Sequence, residues 1–280
     1  MDLVIFGANG PTGRLLTAQA LAEGHAVTAV TRHPAGFPAG PGRLTVLGGD
    51  VLDPGVAERA VAGKDAVLSA LGVPYSRKPI SVYSEGTASI VRAMDRHGVR
   101  RLVCVSSSAT QPHPRPQAGF LFERVLQPFF TRVVGRTLYD DMRRMEALVA
   151  GCGLDWTVVR PSGLFETPSV TAYEVAEDHI DGRFTSRTDL ADCLLRQLGT
   201  ERHVRRFLAV ATTGVQPNLY QLLWREGLRK QRVYPQMARS ASLPSASARV
   251  HHSGAFASST IRPPAASAAA MRASTWSYGR

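Results

Sequence analysis

The sequence has few lysines, few cysteines and no long apolar run, and each shortage excludes a class of protein. Only three of the 280 residues are cysteine, and Cys104, Cys152 and Cys193 lie far apart without a Cys-x-x-Cys pair. We therefore expect reduced, buried thiols and a cytoplasmic protein rather than a disulfide framework. No apolar run approaches the roughly 18 residues of a membrane-spanning helix, so no membrane partner is expected. Residues 2–7 predict a strand that enters a turn, which leaves no room for a signal peptide.

Acidic side chains are almost absent from the C-terminal part of the chain, and this absence explains the net charge of +11. Residues 1–213 hold 24 of the 33 lysines and arginines and 21 of the 22 acidic residues, so their charges nearly balance. The positive excess belongs to residues 214–280, where Glu226 is the last acid. A basic patch on a folded surface is not indicated, and we do not expect a nucleic-acid partner.

Near its C-terminal end the sequence loses any period typical of a strand or a helix. Residues 238–280 contain 12 alanines and 10 serines, a composition that buries too little apolar surface to offset chain entropy. We expect a terminal helix or linker over residues 214–230 and a disordered basic tail over residues 231–280. Two origins of this tail stay open, a functional basic extension and translation of a shifted reading frame. His251 and His252 have no nearby cysteine or acid, so no metal site is predicted.

Over residues 1–213, short apolar runs alternate with segments of helical period. This alternation is typical of βαβ units and predicts a single α/β domain, a Rossmann-like doubly wound parallel sheet. Strands are predicted near residues 2–6, 25–31, 43–47, 65–70, 100–106, 155–160 and 206–212. Helices are predicted near residues 12–23, 54–61, 81–97, 138–150 and 188–198.

Several helix ends are indicated by the residues that flank them. Asp53 followed by Pro54 predicts an N-cap with proline at the first helical position. Gly98 occupies a position where a helix C-terminus favours a residue that tolerates positive φ. The spacing of Thr137 and Asp140 predicts a capping box.

Two segments interrupt the alternation of strands and helices. Residues 109–136 combine four prolines with apolar and aromatic runs, and we expect them to form a lid or wall over a pocket. Residues 162–185 follow the sixth strand, where we expect contacts to a substrate.

A glycine-rich loop links the first strand to the first helix. Gly7 suits a tight turn, Gly10 lets the backbone approach a pyrophosphate, and Gly13 allows close helix–strand packing. The helix N-terminus that follows offers free N–H groups and a positive dipole end to phosphates. The predicted cofactor-binding residues of this loop are Gly7, Asn9, Gly10, Pro11, Thr12 and Gly13.

The spacing Gly-x-x-Gly-x-x-Gly resembles that of the extended and atypical short-chain dehydrogenases/reductases, and the resemblance continues to about residue 213. It includes residues 48–51 after the third strand, 70–72 after the fourth, 106–108 after the fifth, 156–161 across the sixth, and 186–192. Together these segments resemble the NAD(P)H-binding, NmrA-like or biliverdin/flavin-reductase-like branch. The last 65 or so residues take no part in the resemblance.

The acid that usually holds the ribose 2′-hydroxyl of NAD is missing after the second strand. No acid occurs between Glu23 and Asp50, and Arg32 follows the strand instead. A permanently charged, planar guanidinium suits a 2′-phosphate, so NADPH is expected in preference to NADH. The alternative is that Arg32 is a solvated residue at a strand end.

Further cofactor contacts are implied by the family resemblance rather than by the residues themselves. In the family, the positions of Asp50 and Val51 flank the adenine, although Asp50 could instead serve only as a turn residue. The positions of Ala70, Leu71 and Gly72 line the path to the ribose. Ser106 and Pro161, at the ends of the fifth and sixth strands, complete the predicted set.

The catalytic Tyr-x-x-x-Lys pair of the short-chain dehydrogenases cannot exist in this chain. Its three lysines, Lys64, Lys78 and Lys230, have no tyrosine four residues earlier. The candidate catalytic residues that remain are Tyr139, which is equally explained by packing, and Ser107, for which Ser106 and Ser108 are alternatives.

The missing lysine favours chemistry that needs no positioned acid or base. We expect hydride transfer from NADPH to a planar acceptor such as a flavin or a quinone, to which solvent can supply the proton. A non-catalytic NAD(P)(H)-binding sensor is the alternative. A sugar-nucleotide epimerase or dehydratase is the third choice, because it would need a positioned acid or base.

Overall fold

A computed structural model describes residues 1–38, 42–76, 78–111 and 135–215 of the chain. Within these ranges the strands are β1 (Asp2–Phe6), β2 (Ala26–Thr31), β3 (Leu44–Gly48), β4 (Ala66–Ser69), β5 (Arg101–Val105), β6 (Asp155–Pro161), β7 (Gly163–Phe165), β8 (Tyr173–Glu177), β9 (Phe184–Ser186) and β10 (Arg206–Thr212). The helices are α1 (Pro11–Ala22), α2 (Pro54–Val61), α3 (Val82–His97), α4 (Arg136–Gly151) and α5 (Arg187–Arg196). Most of the predicted lid and of residues 214–280 lies outside the described residues.

The main sheet has eight strands in the order β3-β2-β1-β4-β5-β6-β10-β8. β1 lies between β2 and β4, with Leu3 opposite both Val27 and Ala66. All pairs are parallel except β10 and β8, which run antiparallel. The chain winds outward in both directions from the boundary between β1 and β4, which confirms the predicted doubly wound, Rossmann-like α/β fold.

Helices cover both faces of this sheet, because its strands are apolar on both sides. On one face α2, α3 and α4 bury a cluster that includes Val56, Ile90 and Met145. On the other face α1 and α5 bury a second cluster that includes Leu16 and Leu190. Because both faces are covered, a binding site is expected at the ends of the strands rather than on either face of the sheet.

The segment after β6 contains three strands that the sequence pattern did not predict. β7 pairs in parallel with β9 in a separate two-stranded sheet. β8 joins the main sheet as its last strand, with Val210 of β10 opposite Val175. The insertion over residues 162–185 is thus ordered into strands, one of which extends the main sheet, and its predicted contacts to a substrate stay a prediction.

The observed helix ends confirm two predicted caps and contradict the third. The Asp53 carboxylate accepts the Gly55 N–H at 2.9 Å, and Gly98 follows α3 with φ of +68°. The capping box at Thr137 is wrong, because the N-cap is Gly135 and α4 begins at Arg136, two residues before the predicted start. The Thr137 hydroxyl instead donates to the backbone oxygen of Ser76 at 2.8 Å, so it joins α4 to the segment that follows β4.

Asp141 of α4 caps the N-terminus of α3, its neighbour on the sheet. Its fully buried carboxylate accepts the Tyr83 N–H at 2.8 Å and a hydrogen bond from the Ser84 hydroxyl. Arg144 donates to the same carboxylate at 3.1 Å and to the Ile80 backbone oxygen at 3.0 Å. An anion at this position satisfies free N–H groups and matches the positive end of the helix dipole.

The cysteines follow the sequence expectation at two of three positions. Cys104 and Cys193 are buried, and burial raises the pKa of both thiols, that of Cys193 to about 12. Cys152 is half-buried and donates to the Val149 backbone oxygen.

None of the helices in the described ranges is long and apolar enough to cross a bilayer.

Replacement of Asp141 by alanine tests its role as the cap of α3. Asp141→Ala is expected to lower the free energy of unfolding by about 2–3 kcal/mol, because it leaves buried donors unsatisfied. Asp140→Ala is the matched control, because the neighbouring carboxylate is 40% exposed and forms surface ion pairs, worth less than about 1 kcal/mol. Urea denaturation of both variants measures the difference. Equal losses would show that the cap has no special role.

Candidate functional site

The candidate site lies at the carboxyl ends of the parallel strands. β1 and β4 are adjacent there, and the chain leaves them in opposite directions along the sheet. In open α/β sheets, ligands bind in the crevice at such a switch point. The segments that surround this crevice follow β1, β2, β4 and β5, and they cover residues 7–13, 32–38, 70–76 and 106–111.

The three glycines of the loop after β1 meet different surroundings. Gly7 has φ of +73°, and a Cβ there would lie 2.5 Å from the Ala70 backbone oxygen. A Cβ on Gly13 would lie 2.2 Å from the Gly7 oxygen. A Cβ on Gly10 would meet, among the described residues, only the Gly7 oxygen at 3.3 Å. Gly7 and Gly13 are therefore required by packing, whereas Gly10 leaves an open cradle in front of the loop.

The first turn of α1 faces this cradle with unsatisfied backbone donors. Gly10 is the N-cap residue without a side-chain cap, and Pro11 occupies the first helical position. The Gly10 N–H donates to the Gly7 oxygen at 3.0 Å, which shapes the turn. Thr12 is 8% exposed, and its hydroxyl accepts a hydrogen bond from Arg187 at 3.3 Å. Free N–H groups at a helix N-terminus suit an anion, so the cradle fits the diphosphate of a dinucleotide.

Two arginines flank the end of β2, and only one of them was predicted. Arg32 follows β2 directly and is exposed. Arg14, which follows the last glycine of the loop, donates to the Asn9 side-chain oxygen at 2.9 and 2.7 Å. It also reaches the backbone oxygen of Gly36 at 3.4 Å. Arg14 thus joins the glycine loop to the turn after β2. Its place in the sequence, one residue past the loop, could have indicated this contact.

The segment after β3 forms an apolar wall beside the crevice. Val51 is buried against α3, where a Cβ on Gly86 would lie 2.9 Å from a Val51 methyl and 3.5 Å from one of Leu71. The Asp50 carboxylate accepts the Leu52 N–H at 3.0 Å, so it has the turn role that the sequence left open. Its predicted adenine contact stays a prediction.

The segment after β4 is held in place by backbone and tyrosine hydrogen bonds. The Ala70 N–H donates to the Phe6 oxygen at 2.9 Å, and Gly72 is exposed. The Val73 N–H donates to the Tyr83 hydroxyl at 3.3 Å. Burial raises the pKa of Tyr83 to about 12, so this phenol stays neutral and available as an acceptor.

Tyr139, a predicted catalytic residue, lies beside the segment that follows β4. Its hydroxyl is 3.1 Å from the hydroxyl of Tyr75, and the two rings meet edge to face with centroids 6.4 Å apart. Tyr75 is 59% exposed. The two phenols therefore form a pair at the crevice, and their pairing was not predicted.

Ser106 belongs to a buried charged network at the ends of β5 and β6. Glu146 of α4 accepts hydrogen bonds from Ser106 at 2.6 Å and Thr110 at 3.0 Å. The Arg160 guanidinium donates to both Glu146 oxygens, at 3.0 and 2.8 Å, and lies 4.0 Å from the Phe207 ring centroid. Both charged side chains are nearly inaccessible to solvent. The Ser106 side chain points into this network, and its predicted cofactor contact stays a prediction.

The network holds the start of the segment after β5, which carries Ser107. The Ser107 hydroxyl accepts the Ala109 N–H at 3.2 Å, and its backbone oxygen accepts from the Thr110 hydroxyl at 2.8 Å. Pro161 is buried at the end of β6, next to Arg160. In the sequence, the network could have been predicted from Glu146, a charged residue on a face of α4 that is otherwise apolar and includes Met142, Met145 and Val149.

These features define the class of the protein: a Rossmann-like α/β protein with a cradle that suits a dinucleotide at the switch point of its sheet. The chain belongs to the NAD(P)H-binding family, whose model matches residues 7–201. This match confirms the family resemblance and the binding of a nicotinamide nucleotide.

Individual relatives differ in how much of their length the chain covers. A protein of Mycobacterium tuberculosis, of uncharacterized function, is 29% identical over 166 residues, which are 59% of this chain and 15% of that protein. The chain thus spans only a small part of that relative. An uncharacterized sugar epimerase of Bacillus subtilis, YhfK, is 27% identical over 71% of this chain and 88% of its own. A short-chain dehydrogenase/reductase of Veillonella parvula, solved in complex with NADP, shares the fold with a TM-score of 0.62, at 23% identity over 76% of this chain and 95% of its own.

Substitutions at Gly10 and Gly13 separate binding from folding. Gly10→Val is expected to abolish nucleotide binding while it leaves a cooperative melt, because the added side chain fills the cradle and displaces little protein. Gly13→Ala is expected to lower the melting temperature, because its Cβ would overlap the Gly7 oxygen. Calorimetric titration and thermal melts check both. Gly10→Val with the nucleotide affinity of the wild type would exclude this loop as the phosphate cradle.

Proposed function

We propose that this NAD(P)H-binding protein transfers hydride from NADPH to a planar, conjugated acceptor such as a flavin or a quinone. One observation carries the proposal: a dinucleotide cradle occurs in a chain with no Tyr-x-x-x-Lys pair. Carbonyl reduction and sugar epimerisation need a positioned acid or base. Hydride transfer to an isoalloxazine or a quinone depends mainly on the near-attack geometry of donor and acceptor, because solvent can deliver the proton.

The preference for NADPH rests on charge at the end of β2. Arg32 is exposed there, and no acid occurs from residue 24 to residue 49 to hold a ribose 2′-hydroxyl. Arg14 adds a second guanidinium, tied to the turn that follows Arg32. Guanidinium groups bind phosphate oxygens through charge-assisted hydrogen bonds, so the pair suits a 2′-phosphate.

The choice of a planar acceptor rests on the tyrosine pair. Tyr75 is 59% exposed in the segment that follows β4, and the Tyr139 ring meets it edge to face. A conjugated ring system can stack on such an exposed aromatic surface.

In this proposal the protein binds and orients the cofactor and the acceptor. The nicotinamide supplies the hydride when the cofactor is bound. The backbone at Gly10 and the first turn of α1 hold the diphosphate. Val51 and Leu71 shield the adenine side of the crevice from water. The network of Glu146 and Arg160 fixes the segment after β5 beside the reacting ring.

A sugar-nucleotide epimerase is the second candidate, favoured by the name of the Bacillus subtilis relative, 88% of which this chain covers. It would need a proton donor in place of the missing lysine-tuned tyrosine. Tyr139 is the available residue, so its removal distinguishes the two candidates.

Replacement of Arg32 tests the preference for NADPH. Arg32→Ala is expected to weaken NADPH binding about 10- to 150-fold and to leave NADH binding unchanged, because it removes a charge-assisted contact worth about 1.5–3 kcal/mol. Arg43→Ala is the matched control, since Arg43 is exposed and precedes β3 at the opposite end of the strands. Titration of both nucleotides measures the effect. Equal affinities of the wild type for NADPH and NADH would contradict the assignment.

Turnover with a panel of flavins and quinones tests the chemistry. The wild type is expected to oxidise NADPH with at least one of them, and Tyr139→Phe is expected to retain most of that rate. A hundredfold loss, equivalent to about 2.7 kcal/mol in the barrier, would instead place Tyr139 in the mechanism and favour acid–base chemistry. Nucleotide binding without oxidation by any acceptor would indicate a sensor.

A further inference from the structure

Arg187 reaches the cofactor cradle from a distant part of the chain. It is the first residue of α5, and the preceding Ser186 is a fully buried N-cap. The Ser186 hydroxyl accepts the N–H groups of Thr188 and Asp189 at 3.2 and 3.4 Å. Its own N–H donates to the Thr212 hydroxyl at 2.8 Å. The backbone that carries Arg187 is therefore fixed by several hydrogen bonds.

The side chain of Arg187 extends toward the beginning of α1. The two helices pack against each other, and the Gln19 side chain of α1 donates to the Thr188 oxygen at 3.1 Å. The Arg187 guanidinium lies further along α1, where it donates to the Thr12 hydroxyl at 3.3 Å. Thr12 is the second residue of α1, so a half-buried positive charge sits beside the turn that faces the cradle.

The Arg187 guanidinium lies near the N-termini of two helices, α5 and α1. A cation in the first turn of a helix is disfavoured by the positive end of the helix dipole, and Arg187 occupies that turn of α5. Its guanidinium also lies at the positive end of α1. A doubly charged anion in the cradle would match both the guanidinium and the N-terminus of α1.

We propose that Arg187 binds the diphosphate of the nicotinamide nucleotide, so that α5 completes a cradle begun by the glycine loop. This proposal extends the proposed function, because it adds a ligand to the same cofactor. Arg32 distinguishes NADPH from NADH, whereas Arg187 contacts a group that both nucleotides share. The two arginines therefore make separable contributions to binding.

The test compares NADPH and NADH binding to the full chain by calorimetric titration. Arg187→Gln is expected to weaken both nucleotides by the same factor, about 10- to 100-fold, and to reduce the salt dependence of binding. Arg187→Lys, which keeps the charge but loses the planar fork, is expected to lose less. Arg202→Gln is the matched control, because Arg202 is exposed and lies past the opposite end of α5.

Each outcome bears on the proposal. Unchanged affinities in Arg187→Gln would overturn it and leave the proposed function standing. A loss confined to NADPH would overturn it by assigning Arg187 to the 2′-phosphate. Wild-type protein that binds neither nucleotide would contradict both proposals. If Arg187→Gln does not fold, a loss shared equally by both nucleotides in Arg187→Lys supports the proposal, and wild-type affinities in that variant overturn it.

Discussion

The close backbone contact among β1, β4 and α1 is the constraint on which the rest of the site depends. The positions of Gly7 and Gly13 have no room for a side chain, because the Ala70 and Gly7 oxygens occupy that space. This contact brings the first turn of α1 to the carboxyl end of β1 and opens the crevice toward β4. A helix N-terminus then faces the crevice with free donors, so the packing of three backbone segments produces a cradle that suits a phosphate.

The charged side chains around the crevice differ in how deeply they are buried. Glu146 and Arg160 lie in the interior, where breaking such a pair costs about 3–5 kcal/mol, so their function is to fix neighbouring segments. Arg32 is exposed beside the turn after β2, where it can gain a partner without a large loss of hydration. Arg187 is intermediate, half-buried and anchored to Thr12. The interior charges shape the crevice, and the exposed Arg32 is accessible from solvent.

The seven strands and five helices predicted from periodicity are present, because each has a strong apolar pattern. The strands that were missed have weak patterns: β7 and β9 have three residues each, and β8 carries Glu174 and Glu177 at the edge of the sheet. The glycine loop was predictable because its geometry depends on local sequence. The hydrogen bond of Thr137 with Ser76 and the pairing of Tyr75 with Tyr139 were not, because they join segments that are distant in sequence.

The missing lysine has a structural consequence at the crevice. In a Tyr-x-x-x-Lys pair the ammonium group lowers the pKa of the phenol and holds the nicotinamide ribose. Here Tyr139 is followed four residues later by Arg143, which donates to Asp140 at 2.7 Å and to the Thr110 backbone oxygen at 3.3 Å. Arg143 therefore joins α4 to the segment after β5, so its contacts are structural and keep the Ser107 segment beside α4. Under the proposed function, a chain in which this helix position has a structural role would depend for rate enhancement on the relative placement of the nicotinamide and the acceptor ring, for which rigid walls are the main requirement.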